Sequence, residues 1–250
     1  MSRLQNDEPT IHLPHASVTT LQQDEEYFEL EEDGRRRRLR FHDYAEIYSV
    51  PGLYEHLFAE TLMCRSPEVV VDLLEETLAG RQARPGDLRV LDFGAGNGMV
   101  GEELARAGVQ SIVGVDELQE AKEAAERDRP GIYDAYHAID ITAPDPAAQR
   151  DLENAGFNCL TCVAALGFGD IPANVFRAAL DLIDDGGWVA FNIRDRFVTA
   201  TDRSGFADLL DDLAASGELV ERARLRYPHR LGLSGEPLHY DAVVAQKSSG

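Results

Sequence analysis

Val90-Leu91-Asp92-Phe93-Gly94-Ala95-Gly96-Asn97-Gly98-Met99-Val100-Gly101 is the stretch that decides how this chain folds. A short apolar run passes directly into three alternating glycines, and a helical pattern begins at Met99. Glycine lets the backbone turn tightly and lets a ligand approach where any Cβ would stand in the way. In open parallel sheets ligands bind at the carboxyl ends of strands, which is where this turn lies. An acidic residue, Asp116, closes the next strand, 24 positions beyond Asp92. A carboxylate there can accept hydrogen bonds from both hydroxyls of a ribose.

Outward from this turn the chain alternates strand and helix. The patterns predict strands at Arg89–Phe93, Ser111–Val115, Asp134–Ile139, Phe157–Val163 and Gly187–Asn192, with helices at Met99–Ala107, Leu118–Arg129, Pro146–Ala155 and Val175–Ile183. Gly108 and Gly186 stand where C-terminal glycines belong. Such alternation implies right-handed βαβ units and a mainly parallel sheet covered on both faces. After a helix at Gly205–Ala214, the stretches near Leu219–Leu225 and Tyr240–Ala245 read as a terminal antiparallel pair. No internal repeat is evident.

Upstream, residues 1–26 are polar and acidic with two prolines and no apolar period, and read as a flexible arm. Residues 27–65 read as a hairpin and lid, and 66–246 as the main domain. Asp33-Gly34 between two short runs is a hairpin signal. It sets the acidic strand, with Glu31 and Glu32, opposite the basic one that starts at Arg35, so the arginine run is expected to be neutralised by its own hairpin rather than to bind anions. Ser66-Pro67 opens a helix whose apolar stripe runs from Val69 to Leu78.

The 250 residues carry 24 Lys+Arg against 45 Asp+Glu, a net charge of −21, and only Lys122 and Lys247 are lysines. That field disfavours nucleic acid and anionic membrane surfaces as partners. No apolar run is long enough to span a bilayer, and no signal-peptide pattern opens the chain. Three cysteines cannot make a disulfide framework, so a reducing cytoplasm is the expected location. Cys159 and Cys162 are three apart in a strand, point to opposite faces, and read as buried structural thiols. The histidines show no ligand spacing, and no metal site is expected.

Gly96 to Gly101 also fits the G-x-G-x-x-G pattern of dinucleotide binding, which keeps an NAD-dependent oxidoreductase as an alternative. Asp92 argues against it: a pyrophosphate in this turn would face a nearby carboxylate with no compensating base. A ligand carrying an ammonium and a sulfonium would find that carboxylate attractive.

The run Asp92-Phe93-Gly94-Ala95-Gly96-Asn97-Gly98, with Asp116 after the second strand, resembles motifs I and II of the class I S-adenosylmethionine-dependent methyltransferases. The resemblance covers about residues 44–246. It implies an open seven-stranded, mainly parallel sheet with helices on both faces, a Rossmann-like methyltransferase fold ending in an antiparallel pair. It implies S-adenosylmethionine as cofactor, S-adenosylhomocysteine as product, and methyl transfer to a small-molecule acceptor by in-line displacement. By this likeness Asp92, Gly94, Ala95, Gly96 and Gly98 would hold the methionyl end, Asp116 with Glu117 the ribose, and Asp140 with Ile141 the adenine. Ala164 would end the fourth strand beneath the reactive methyl, with Tyr48 beside the ligand and Arg65 pairing with the methionine carboxylate. For these last two, a core tyrosine and a solvated helix-flanking arginine remain open readings.

Methyl transfer needs alignment more than acid–base chemistry, so no catalytic residue is assigned. Acceptor-facing loops are expected at Ala165–Asp170 and Ile193–Phe197. Asp170 is a candidate base or a helix cap, and His42 and His239 could reach a pocket. The Asn/Asp-Pro-Pro-Tyr/Phe motif of amide and amino-nitrogen methylators is absent: Val163-Ala164-Ala165-Leu166 stands in its place. A non-catalytic module that binds S-adenosylmethionine is a further alternative.

Overall fold

The computed structural model describes residues 9–14, 25–167, 170–199 and 204–248. Its N-terminal part is a three-stranded antiparallel sheet of β1 (Thr10–His12), β2 (Tyr27–Glu32) and β3 (Arg35–Arg40). The turn at Asp33 and Gly34 has both residues at positive φ, 51° and 71°, as a two-residue hairpin with right-handed strand twist requires. Glu31 lies opposite Arg36 and Glu32 opposite Arg35. Ion pairs Arg36–Glu31 and Arg37–Glu32, each 3.0 Å, neutralise the run as expected. Within the arm, Thr10–His12 departs from the flexible reading: it pairs with β2, and Ile11 packs on the hairpin's apolar face. Three residues are too short a run to show a period. The rest of that segment up to Asp24, Pro9 and Leu13–Pro14 apart, lies outside the described residues.

The lid follows: α1 (Tyr44–Ser49), then a π-helical stretch at Glu55–Thr61. Leu53, Leu57, Phe58 and Leu62 bury against Phe28, Leu30, Leu39 and Phe41, so hairpin and lid share one core. A buried ion pair fastens that core to the far end of the chain: the Arg230 guanidinium donates to the Glu26 carboxylate, with side chains 4% and 8% exposed.

The main domain opens with α2 (Ser66–Ala79) and continues as β4 (Arg89–Phe93), α3 (Met99–Arg106), β5 (Ser111–Asp116), α4 (Gln119–Asp128) and β6 (Ala135–Ala138). Then come α5 (Pro146–Asn154), β7 (Phe157–Cys162), α6 (Ala173–Asp181), β8 (Ile183–Ile193), α7 (Phe206–Ala215), β9 (Leu219–Leu231) and β10 (Pro237–Lys247). The seven-stranded sheet has the order β6-β5-β4-β7-β8-β10-β9. Strands β4 to β8 pair in parallel, and β10 runs antiparallel to both β8 and β9. The winding reverses between β4 and β7, which opens a crevice at their carboxyl ends.

Continuous burial along β4 marks a strand covered on both faces. Val90 and Ile112 pack with α2 and α3 on one side, while Leu91, Val115 and Leu160 pack with α6 and α7 on the other. Cys159 falls in the first core and Cys162 in the second, as alternation along a strand demands. Burial pushes both thiols well above the ordinary cysteine range.

Candidate functional site

The glycine turn is held from every side. Gly94 and Ala95 amides donate to the Val115 carbonyl (2.9 and 3.1 Å), and the Gly96 amide donates to Asp116 Oδ2 (3.0 Å). Tyr136 donates its hydroxyl to the Gly96 carbonyl at 2.8 Å. From the lid, Glu55 Oε1 accepts from Asn97 Nδ2 and from Arg129 Nη1, both at 2.7 Å. Gly94 and Gly96 have φ of +69° and +55°, and neither could carry a side chain. A Cβ on Gly94 would meet Ala165 Cβ and Ile171 Cδ1 at 3.0 Å; one on Gly96 would meet the Tyr48 hydroxyl at 2.5 Å.

Asp92, at the end of β4, lies beneath this turn and is 1% exposed. Thr161 Oγ1 donates to its Oδ1 and the Tyr133 hydroxyl to its Oδ2, each at 2.7 Å. Burial pushes its carboxyl up to about 6, against the lowering effect of those two donors. Asp116 is raised by the same cause, while amides of Leu118 and Gly96 hold it partly back. Asp140 is the opposite case: Thr142 closes an Asx turn on it through its amide (2.8 Å) and hydroxyl (2.6 Å), which lowers the carboxyl.

Above the crevice lies a cavity of about 630 Å³, within the usual size of a small-molecule site. One wall carries Asp116, Glu117, Asp140 and Ile141 from the ends of β5 and β6. The lid supplies His42, Asp43, Tyr44, Glu46 and Tyr48, and the loop after β7 supplies Ala164, Ala165, Asp170 and Ile171. Six carboxylates face this space, and no lysine or arginine does among the described residues. Tyr44, Tyr48 and Tyr54 form a stacked row, with ring centroids 6.1 and 5.0 Å apart.

Ala164 turns the chain at φ +57°, a conformation rare for a residue with a side chain and typical of a constrained site. Asn192 Oδ1 holds its amide at 2.6 Å, and Asn192 Nδ2 donates to the Tyr227 hydroxyl at 2.6 Å. Tyr227 continues to Ser66 Oγ (2.7 Å), and Ser66 to His229 Nδ1 (2.6 Å). Burial drives His229 down to about 3, so at neutral pH it is uncharged and its Nδ1 can accept from Ser66.

The fold thus gathers Tyr48, Gly94, Asp116, Glu117, Asp140, Ile141 and Ala164 around one cavity. Ala95 and Gly96 line a small hollow next to it, beside Tyr54 and Phe58. Asp92 and Gly98 sit on the hidden side of the turn. Arg65 is not brought to the cavity. Its guanidinium turns to Glu68, one helical turn away, at 2.7 Å, and remains in solvent. Phe168 and Gly169 of the acceptor-facing loop lie outside the described residues. Glu55, Tyr133, Thr161 and Asn192 escape sequence reasoning because each meets its partner across 28 or more positions.

A family described as "Methyltransferase domain" matches residues 58–231. The ubiquinone biosynthesis O-methyltransferase of Burkholderia thailandensis is 34% identical over 110 residues, 43% of this chain and 45% of that protein. The protein of the same name from Bordetella avium is 30% identical over 129 residues, 50% and 49% of the two chains. The chain therefore spans about half the length of the curated relatives it matches. An S-adenosylmethionine-dependent methyltransferase of Clostridium acetobutylicum shares the fold, with a TM-score of 0.52 and 13% identity over 74% of this chain and 93% of that one. With the seven-stranded sheet, the glycine turn and a family match across most of its length, this chain belongs to the methyltransferase domain family.

Proposed function

We propose that this chain transfers a methyl group from S-adenosylmethionine to a small-molecule acceptor and leaves S-adenosylhomocysteine. The observation that carries the reading is the charge of the cavity. Asp43, Glu46, Asp116, Glu117, Asp140 and Asp170 face it with no lysine or arginine among the described lining, although Arg40 and Arg37 pair with Asp43 and Glu46 from behind and His42 with Asp170. A dinucleotide would bring two phosphates into that field, whereas a sulfonium nucleoside with an ammonium group is attracted by it. The NAD reading therefore finds no support here.

The residues present fit such a group. Asp116 accepts two backbone amides and retains lone pairs for ribose hydroxyls. Asp140, fixed by its Asx turn, and Ile141 form an edge for an adenine. Gly94 and Ala164 line the cavity at the ends of β4 and β7, and the Tyr48 hydroxyl lies over Gly96. Asp92 contributes a buried charge beneath the turn. When bound, S-adenosylmethionine supplies an electrophilic methyl with a good leaving group. The protein's own part is alignment and exclusion of water by the tyrosine-rich lid. The relatives' O-methyltransferase names support an oxygen acceptor. No helix among the described residues is long and apolar enough to cross a membrane, and the three cysteines are free, which supports a reducing, cytoplasmic setting.

Titration calorimetry with S-adenosylhomocysteine tests the reading. Binding at micromolar concentration is expected, and Asp116→Ala should weaken it by about tenfold or more through loss of charge-assisted hydrogen bonds. No heat of binding to the folded protein at millimolar ligand would sink it.

A further inference from the structure

We infer that Asn192, backed by Tyr227, is a positioning residue of the methyl-transfer site: it holds the turn at Ala164 in the shape that ligand binding requires. This rests on the methyl-transfer reading above. Ala164, with Tyr54, borders the main cavity and also two smaller hollows, one beside the glycine turn and one toward His229 and Arg230. The three spaces meet at this point of the backbone. The last rung between β7 and β8 joins Cys162 to Phe191, so Ala164 lies beyond the ladder and its amide needs another acceptor. Asn192, fully buried and next along β8, supplies one: its Oδ1 accepts from the Ala164 amide at 2.6 Å. An alanine left to itself does not keep a φ of +57°.

The direction of every hydrogen bond behind Asn192 follows from its donors. The Ala164 amide only donates, so Oδ1 faces it and Nδ2 faces Tyr227. Nδ2 donates to the Tyr227 hydroxyl at 2.6 Å, which leaves that hydroxyl's own proton for Ser66 Oγ at 2.7 Å. Ser66 donates in turn to the uncharged His229 at Nδ1, 2.6 Å away. Asparagine is the residue this place demands. Aspartate would set a second acceptor against a hydroxyl whose proton is committed, and leucine would satisfy neither neighbour.

The far end of the chain is the exit of the lid. Ser66 opens α2, the Arg65 amide donates to the His229 carbonyl at 3.3 Å, and the Leu231 amide donates to the Leu62 carbonyl at 2.7 Å. One short stretch of β9, Tyr227 to Leu231, thus holds residues 62–66 by its backbone and Ala164 through side chains. Methyl transfer depends on alignment, and a turn that leaves the left-handed region re-aims its peptide groups on the cavity wall. Ligand affinity then falls by the fraction of molecules that keep the binding shape.

The test reads S-adenosylhomocysteine affinity by titration calorimetry and the Ala164 amide by proton–nitrogen NMR, both on the full chain. In the parent, that amide proton should lie far downfield, as a short hydrogen bond demands. Asn192→Leu, similar in size but unable to accept, should move it upfield and weaken binding about five- to thirtyfold, the range for holding a non-glycine residue left-handed unaided. Adding Ala164→Gly to that variant should recover part of the loss, because glycine takes the same φ without support. A side chain that merely fills the core would show no such rescue. Tyr227→Phe probes the link from its other side and decides the matter if Asn192→Leu does not fold. With Nδ2 left unpaired, the amide should shift the same way and binding should weaken about two- to tenfold. An Ala164 amide or an affinity that neither variant moves would overturn the assignment, as would a double variant that binds no better than Asn192→Leu. A parent that binds no S-adenosylhomocysteine would instead sink the cofactor reading, while the Ala164 amide would still report whether Asn192 holds the turn.

Discussion

Asp92→Asn should stabilise this protein at neutral pH, which is unusual for a change at the centre of a sheet. The Asp92 carboxyl is 1% exposed, and burial pushes it up to about 6. In the unfolded chain it returns to about 4. Between those values the folded state holds a proton that the unfolded state has released. Stability therefore falls as pH rises from about 4 to about 6, and the whole penalty is present above that window. A shift of about two units corresponds to about 3 kcal/mol. Asparagine removes the charge and preserves the shape: its carbonyl can accept from Thr161 Oγ1, and its amide can donate to the Tyr133 oxygen, the two neighbours seen at 2.7 Å. The variant should gain about 3 kcal/mol at pH 7.5, or about 6–12 °C in Tm for a chain of this length, and almost nothing at pH 4. Thermal unfolding of parent and variant across pH 4 to 8 checks this. A gain of equal size at every pH, or a loss at pH 7.5, would refute the argument from burial. The same change removes a negative charge beneath the turn. Affinity for S-adenosylmethionine should then fall more than affinity for S-adenosylhomocysteine, which lacks the sulfonium charge.

Gly96→Ala should cost about 2–4 kcal/mol, from left-handed backbone strain together with a Cβ 2.5 Å from the Tyr48 hydroxyl. In a Tyr48→Phe background that oxygen is gone and the next atom stands at 3.3 Å, so the cost should drop by about 1 kcal/mol or more. Urea unfolding of the four proteins measures the coupling, and additive effects would contradict the contact. Glu26→Gln should destabilise by about 3–5 kcal/mol, because Arg230 would keep its charge in a buried place without a counter-ion. Denaturant midpoints read this directly, and a cost under about 1 kcal/mol would mean that water reaches the pair.

Much of the fold is legible in the sequence because it rests on local signals. The strand Arg89–Phe93 and the helix from Met99 stand where the apolar run and the glycines predict, since no other structure lets those glycines turn so tightly. The hairpin is legible from Asp33-Gly34, and the opposed faces of Cys159 and Cys162 from the period of a strand. Other features depend on distance through space. The π-helical stretch at Glu55–Thr61 has no composition signal of its own; it is set by packing of Leu57 and Phe58 on the hairpin. Arg65 looks like an anion ligand in isolation, but Glu68 offers it a carboxylate one helical turn away. Asp92 reads as a ligand contact, while the structure shows its oxygens already engaged by Tyr133 and Thr161, residues 41 and 69 positions further on. The meeting of His42 with Asp170 is of the same kind: each is visible as a candidate, and only the fold makes them a pair.

The clasp between Glu26 and Arg230 also bears on how the molecule is made. Its two halves are separated by 204 positions, and the Leu233 amide, further still along the chain, donates to the same carboxylate. During synthesis the hairpin and lid emerge before the sheet, yet their core stays unfastened until Arg230 has followed, 204 positions later. A contact of such span closes late in folding, after the entropy of a long loop has been overcome. The lid is thus built before the sheet and secured after it, so removing the β9–β10 pair would release the cover of the site before it loosened the parallel sheet.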